Sequence, residues 1–164
     1  MASVDILSGI TNTQAVLGAA GLSHGDIPDD RLMLSGVEDD LQLNLYSKLP
    51  TYQALVDAGE ASGASPAEKM MALAIKNYAK WFLAALLCSR WNAIVQLKTD
   101  GKTRADRFDR MDLTAMQANA EAQRDRAWAL IVGMLPEDQK PTVVTFTPFG
   151  VSSPTTDPVT DLEE

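Results

Sequence analysis

The stretch from Ser65 to Lys98 narrows the folding options most. It opens with Ser65-Pro66-Ala67-Glu68. In that pattern the serine oxygen accepts from a free first-turn amide, the glutamate accepts from the serine amide in return, and proline suits the first helical position. No glycine or proline then interrupts the chain as far as Lys98. About 33 residues of helix extend roughly 50 Å at 1.5 Å per residue. One apolar stripe runs through Met71, Ala74, Ile75, Tyr78, Phe82 and Ala85, and another through Leu73, Leu83, Leu87, Trp91 and Ile94. Two stripes on one helix require cover on both sides. The expected fold is therefore all-α: a small helical bundle around one long central helix.

The neighbouring segments carry their own punctuation. Thr11 or Asn12 can cap a short helix through Ala20, with Gly21 placed for a left-handed stop. Residues 23–28 read as a loop, with Pro28 suited to a helical first turn. Ser35-Gly36-Val37-Glu38 matches a second capping box, and Leu41, Leu45, Tyr46 and Leu49 follow at helical spacing until Pro50. Beyond Asp100-Gly101-Lys102 a further helix is expected to start between Arg104 and Asp112 and to run to Leu135. Asp112 is its candidate cap. Leu113, Met116, Ala120, Ala127, Leu130, Ile131 and Met134 form its apolar face, and Ala115, Ala118, Ala120 and Ala122 favour close approach of a neighbour.

At 164 residues the chain suits one domain. Five of the eight prolines fall after Leu135, together with six threonines, no alanine and Lys140 as the one basic residue. Residues 1–135 therefore read as the helical domain and 136–164 as an extended, Pro/Thr-rich, acidic C-terminal arm. Val143, Val144, Phe146, Phe149 and Val151 give that arm a β-prone apolar cluster that a monomer tends to hide. An arm of this length reaches tens of ångströms at about 3.3 Å per residue, farther than covering its own domain requires. It is expected to dock on a partner or a neighbouring subunit.

Charge and composition exclude several classes. Fourteen Lys and Arg against 22 Asp and Glu give a formal charge of −8, which suits poorly a protein that wraps nucleic acid, since phosphate neutralisation needs excess cation. Cys88 is the one cysteine, so no intrachain disulfide forms. The first ten residues carry Asp5 and no basic residue, unlike a signal peptide. The strongest apolar run, Trp81 to Cys88, falls short of the roughly 20 residues a bilayer helix needs. The expectation is a protein made in a cytoplasm, with no membrane partner.

No residue pattern argues for catalysis, a cofactor or a metal. His24, the one histidine, reads as a solvated loop residue. Cys88 lies in the most apolar part of the long helix, where buried thiols are inert unless a cation lowers their pKa. Asp26, Asp29 and Asp30 lack calcium-loop spacing. Glu38, Asp39 and Asp40 complement the dipole of a helix N-terminus. Lys98, Lys102, Arg104, Arg107 and Arg110 form the one local cationic excess, diluted by Asp100, Asp106 and Asp109; they read as a solvated helix junction, although a ring of subunits would repeat the patch around a pore.

Three segments carry a resemblance: Thr13-Gln14-Ala15-Val16-Leu17-Gly18, Ile27-Pro28-Asp29-Asp30-Arg31-Leu32, and Val37-Glu38-Asp39-Asp40-Leu41-Gln42-Leu43-Asn44-Leu45. With the long helix, the later helix to Leu135 and the extended C-terminus, this order is similar to the head–tail connector (adaptor) proteins of tailed bacteriophages. The resemblance covers most of the chain as helix order and a short degenerate pattern. It implies a non-enzymatic structural protein of the virion neck, assembled in the host cytoplasm. Such proteins form a ring, commonly dodecameric, beneath the portal; the ring joins the portal to a downstream neck or tail protein, and DNA passes through its lumen. The resemblance further implies that the arm docks on the portal protein, through the Val143–Val151 cluster, and that assembly needs the portal. The physical reading runs alongside it: a helix apolar on both sides has one face for its own bundle and one for neighbouring subunits, with Leu83, Leu87, Trp91 and Ile94 expected at the subunit interface. A head-to-tail contact closes into a ring when the rotation between copies divides the circle.

Two other readings stand beside this one. A small acidic helical binding or regulatory module, unrelated to virions, would use the Leu/Trp surface for one partner. An enzyme would pair a divalent metal with the acidic residues between Asp26 and Asp40. The metal reading has a direct check: chelator treatment is expected to leave the melting temperature unchanged, and titration with divalent cations to release no binding heat.

Overall fold

The computed structural model describes residues 4–22, 27, 32, 36–90 and 112–140. Most of them are helical. In chain order the elements are strand β1 (Asp5–Ile6), strand β2 (Thr11–Asn12), and helices α1 (Thr13–Ala19), α2 (Val37–Lys48), α3 (Tyr52–Glu60), α4 (Pro66–Ser89) and α5 (Leu113–Met134). A short 3-10 turn, Glu137–Gln139, follows.

Helix ends follow local chemistry closely. Ser65 caps α4: its hydroxyl accepts from Glu68 N at 3.3 Å, while Glu68 Oε2 accepts from Ser65 N at 2.7 Å. This reciprocal bonding holds the Glu68 carboxyl below the usual carboxylate range. Asn12 caps α1 by accepting from Ala15 N, and Asp112 caps α5 by accepting from Ala115 N, both at 2.9 Å. Gly21 takes the expected left-handed backbone, with φ at 69°. The long helix closes earlier than expected, with Arg90 as its C-cap rather than a run on to Lys98.

Local structure departs from the sequence pattern at two elements. Helix α2 is capped by Gly36 in a left-handed conformation; Ser35, the serine of the expected Ser35–Glu38 capping box, lies outside the described residues. The Glu38 carboxylate accepts from Leu7 N at 2.8 Å, a bond spanning 31 residues. There it anchors the turn of an N-terminal hairpin not expected from the sequence. Asp5 pairs with Asn12 and Ile6 with Thr11, antiparallel. Leu7, Ser8 and Gly9 between them all have positive φ, a backbone region costly for the two L side chains. Burial of Ile6, Leu7 and Ile10 helps hold it. Helix α3, directly after Pro50, is the second element the pattern did not indicate.

One hydrophobic cluster draws on every helix and on the hairpin. Helix α4 touches α1, α2, α3 and α5. Ile75, Tyr78, Leu83 and Leu87 lie fully inside, and α5 contributes Ala120, Ala127 and Ile131 against it. Burial of each such aliphatic side chain is worth about 1.5–3 kcal/mol. Of the alanines expected to ease helix approach, only Ala120 is buried; Ala115, Ala118 and Ala122 are exposed. By length and composition α4 would also suit a membrane span, but its apolar residues are largely covered by the chain itself.

Helices α3 and α4 approach closely at Gly59. A Cβ added at Gly59 would stand 2.5 Å from Ala72 Cβ and 2.6 Å from the Glu68 carbonyl oxygen. Gly59→Ala should therefore destabilise the fold by about 1–3 kcal/mol through overpacking, despite alanine's better helix propensity. At Gly18, where an added Cβ meets nothing within 4 Å, the same substitution should stabilise by about 0.5–1 kcal/mol. Urea denaturation of the two variants, read by circular dichroism, checks the opposed signs.

Candidate functional site

Two arrangements of side chains stand out, one inside and one outside. The inner one joins α2, α4 and α5. Tyr78 Oη donates to Asn44 Oδ1 at 2.6 Å and accepts from Lys48 Nζ at 3.2 Å. The Lys48 ammonium lies 5.0 Å from the centroid of the Trp128 ring and 5.5 Å from that of Tyr78, within cation–π range. Tyr78 and Trp128 meet at 5.3 Å between centroids. Burial pushes the Tyr78 phenol from 10.0 up to about 12. Burial also lowers the Lys48 ammonium; Arg124 adds in the same direction and Asp125 opposes. A phenol held neutral and a lysine shared between two aromatic faces make a polar clasp. This geometry fastens α2 to the α4–α5 pair.

The outer arrangement is a set of apolar side chains left in water. Leu43 and Tyr46 on α2 are 71% and 63% exposed, and Leu73 on α4 and Leu130 on α5 are 60% and 61% exposed. Met70 and Met134 lie exposed beside the latter two. Each helix thus presents an outward pair at helical spacing: 43 with 46, 70 with 73, 130 with 134. Paired apolar side chains on one outward face mark an interaction surface better than isolated ones do.

These positions correct several sequence expectations. Leu83 and Leu87, expected at a subunit interface, are 1% and 0% exposed. They belong to the chain's own core, because α1 and β2 as well as α5 cover α4. The helical spacing groups Tyr46 with Leu41, Leu45 and Leu49. It sits one residue, about 100° of rotation, past Leu45, and so turns outward. Leu73, Leu130 and Met134 likewise leave their expected apolar stripes. Leu43 carries a legible signal: it lies between Leu41 and Leu45, both buried, and about 200° of rotation from each, so it cannot share their face.

Other candidates stay where expected or fall elsewhere. Cys88 is buried, and burial pushes its thiol up, so the sulfur stays protonated and poorly nucleophilic. Glu38, Asp39 and Asp40 occupy the first turn of α2, where Asp40 pairs with Arg90 at 2.6 Å. Among the described residues no cluster of His, Cys, Asp and Glu has the makings of a metal site. Trp91 and Ile94, the arm residues Val143, Val144, Phe146, Phe149 and Val151, His24, the Asp26–Asp30 group and the Lys98–Arg110 segment lie outside the described residues.

Set against known protein families, curated proteins and solved structures, the chain matches none. Its surface chemistry therefore carries the functional argument.

The clasp yields a pH prediction. Because the phenol ionises higher in the folded state than in the unfolded one, its contribution is complete below pH 10 and fades as pH climbs through about 12. Tyr78→Phe should lose about 1–2 kcal/mol at neutral pH, by leaving Asn44 and Lys48 without the hydroxyl. It should also fall less steeply than the parent between those pH values. Denaturant titrations across that range read both effects.

Proposed function

We propose that this chain is a structural protein of the virion neck in a tailed bacteriophage. It forms a small bundle organised about Pro66–Ser89, and copies of it assemble into a ring that joins the portal to the tail and extends the DNA conduit. Residues beyond Leu135 form an extended arm that anchors the ring to the portal protein. The ring occupies the neck after assembly in the host cytoplasm, and the chain works without cofactor or catalysis.

The observation that carries the reading is the set of outward apolar pairs on α2, α4 and α5. A chain whose core already covers Leu83 and Leu87 still leaves Leu43, Tyr46, Met70, Leu73, Leu130 and Met134 in water. Contact with other protein removes such surface at roughly 25 cal/mol per Å². The helix order and the three sequence segments that resemble connector proteins give the partner its kind. The formal charge of −8 supports a conduit role, because a negative wall lets duplex slide where a basic wall would hold it. The same outward pairs would serve a small helical binding module unrelated to virions, so the deciding measurement has to involve the portal.

Co-sedimentation with portal rings supplies it. The full chain should pellet with them, and a chain lacking residues 137–164 should lose most of that binding. Undiminished binding of the shortened chain removes the arm from the mechanism. A full chain that stays a monomer or dimer beside portal rings, by native mass or negative-stain imaging, favours the binding module.

A further inference from the structure

Two of the outward faces differ in charge as well as position. On α2 the exposed stripe is Asp39, Leu43 and Tyr46, at steps of four and three, with Gln42 beside it. Glu38 and Asp40, the other carboxylates of that turn, are engaged by Leu7 N and Arg90. Asp39 has no ion-pair partner among the described residues. On α4 a stripe runs through Lys69 and Leu73, both exposed, to Lys76 and Lys80, both half-buried, with exposed Met70 beside it. Glu68 is the one acid in the whole helix, and it is held back in the cap. Lys76 pairs with Glu60 of α3. Lys69 is exposed, and Lys80 lies 5.0 Å from the centroid of its neighbour Trp81. In a chain of formal charge −8, this is an apolar strip edged by cations, and the α2 strip is its acidic counterpart.

The two strips also point apart. Tyr78 is the α4 residue that bonds α2, through Asn44 and Lys48. Lys80 lies two residues on, roughly 200° around the helix. One molecule cannot close these surfaces on each other, but successive molecules can.

We propose that the Asp39–Leu43–Tyr46 strip of α2 docks on the Lys69–Leu73–Lys80 strip of α4 in a second copy of this chain. The inference rests on the reading that copies self-assemble, and it names the surfaces that meet. The contact is heterologous, so every copy offers one of each surface and the association continues from copy to copy. Leucine, tyrosine and methionine side chains leave water at its centre. Asp39 against Lys69 and Lys80 fixes orientation and disfavours like faces. A pair of such short strips makes a weak contact in free solution, strengthened where a platform holds several copies together.

Charge exchange on the full chain tests this, using sedimentation equilibrium at near-millimolar concentration. Asp39→Lys with Gln42→Lys makes both strips basic; Lys69→Glu with Lys80→Glu makes both acidic. Each variant alone should lose about tenfold in self-association through like-charge repulsion, and their equal mixture should recover the parent's strength by alternation. A second readout does not depend on charge. Leu43→Cys and Leu73→Cys chains, mixed and oxidised, should cross-link to each other in excess over either homodimer, since Cys88 is buried. Variants that associate as the parent does, or a mixture that recovers nothing, overturn this interface while leaving assembly intact. A parent that stays monomeric throughout overturns both the interface and the self-assembly it rests on. Association lost on removing residues 141–164, with the charge variants neutral, assigns the face to that segment and overturns the proposal.

Discussion

Along α4 the buried residues mix bulk with its absence: Ile75, Tyr78, Leu83 and Leu87 among Ala72, Ala79, Ala84 and Ala85. Helix α4 touches α1, α2, α3 and α5, so covering its buried residues constrains each of those helices. Bulky positions supply the area that drives burial, and small ones allow a neighbour's backbone to come near. The fit of Gly59 against Ala72 and the Glu68 carbonyl leaves no room for a methyl group. Helix α5 meets the same helix through Ala120 and Ala127 with Ile131 between turns of bulk. Packing of this kind makes α4 rigid and its outward residues well placed.

Polar groups then fix what apolar burial alone would leave sliding. Glu38 ties α2 to the strained hairpin turn at Leu7. Arg90 at the end of α4 reaches Asp40 near the start of α2, and Tyr78 with Lys48 holds the other end of α2. These contacts stand at both ends of one helix and use three different chemistries. Their combined effect is to set the rotation of α2 about its axis, which decides that Leu43 and Tyr46 face water while Leu41 and Leu45 do not. A surface intended for another protein gains from such fixing, because less ordering remains to be done when the partner arrives.

The functional reading follows from that division of apolar residues between inside and outside. Leu83 and Leu87 satisfy their own chain, so in the proposed ring the outward pairs are the apolar surface that the described residues leave for contacts between copies. A neck ring asks for modest, repeated contacts between identical subunits and a separate anchor to the portal. An acidic chain with one cation-edged strip, one acid-edged strip and a Pro/Thr-rich terminus has the parts for both tasks.

What the sequence determined by itself was local. The Ser65–Glu68 box, the Asn12 and Asp112 caps and the Gly21 stop were legible because each rests on bonds within a few residues of chain. The long apolar run of α4 and the burial of Cys88 were legible for the same reason, being properties of one segment. Tertiary structure alone decided which side of each helix was covered. Periodicity marks which residues share a face, but a helix apolar around most of its circumference has no unique inside until its neighbours dock. Leu83 was thereby taken into the core and Leu73 left out. Glu38 illustrates the same limit among polar groups. No local pattern signals that its carboxylate accepts from a strained amide, brought near by folding from 31 residues away.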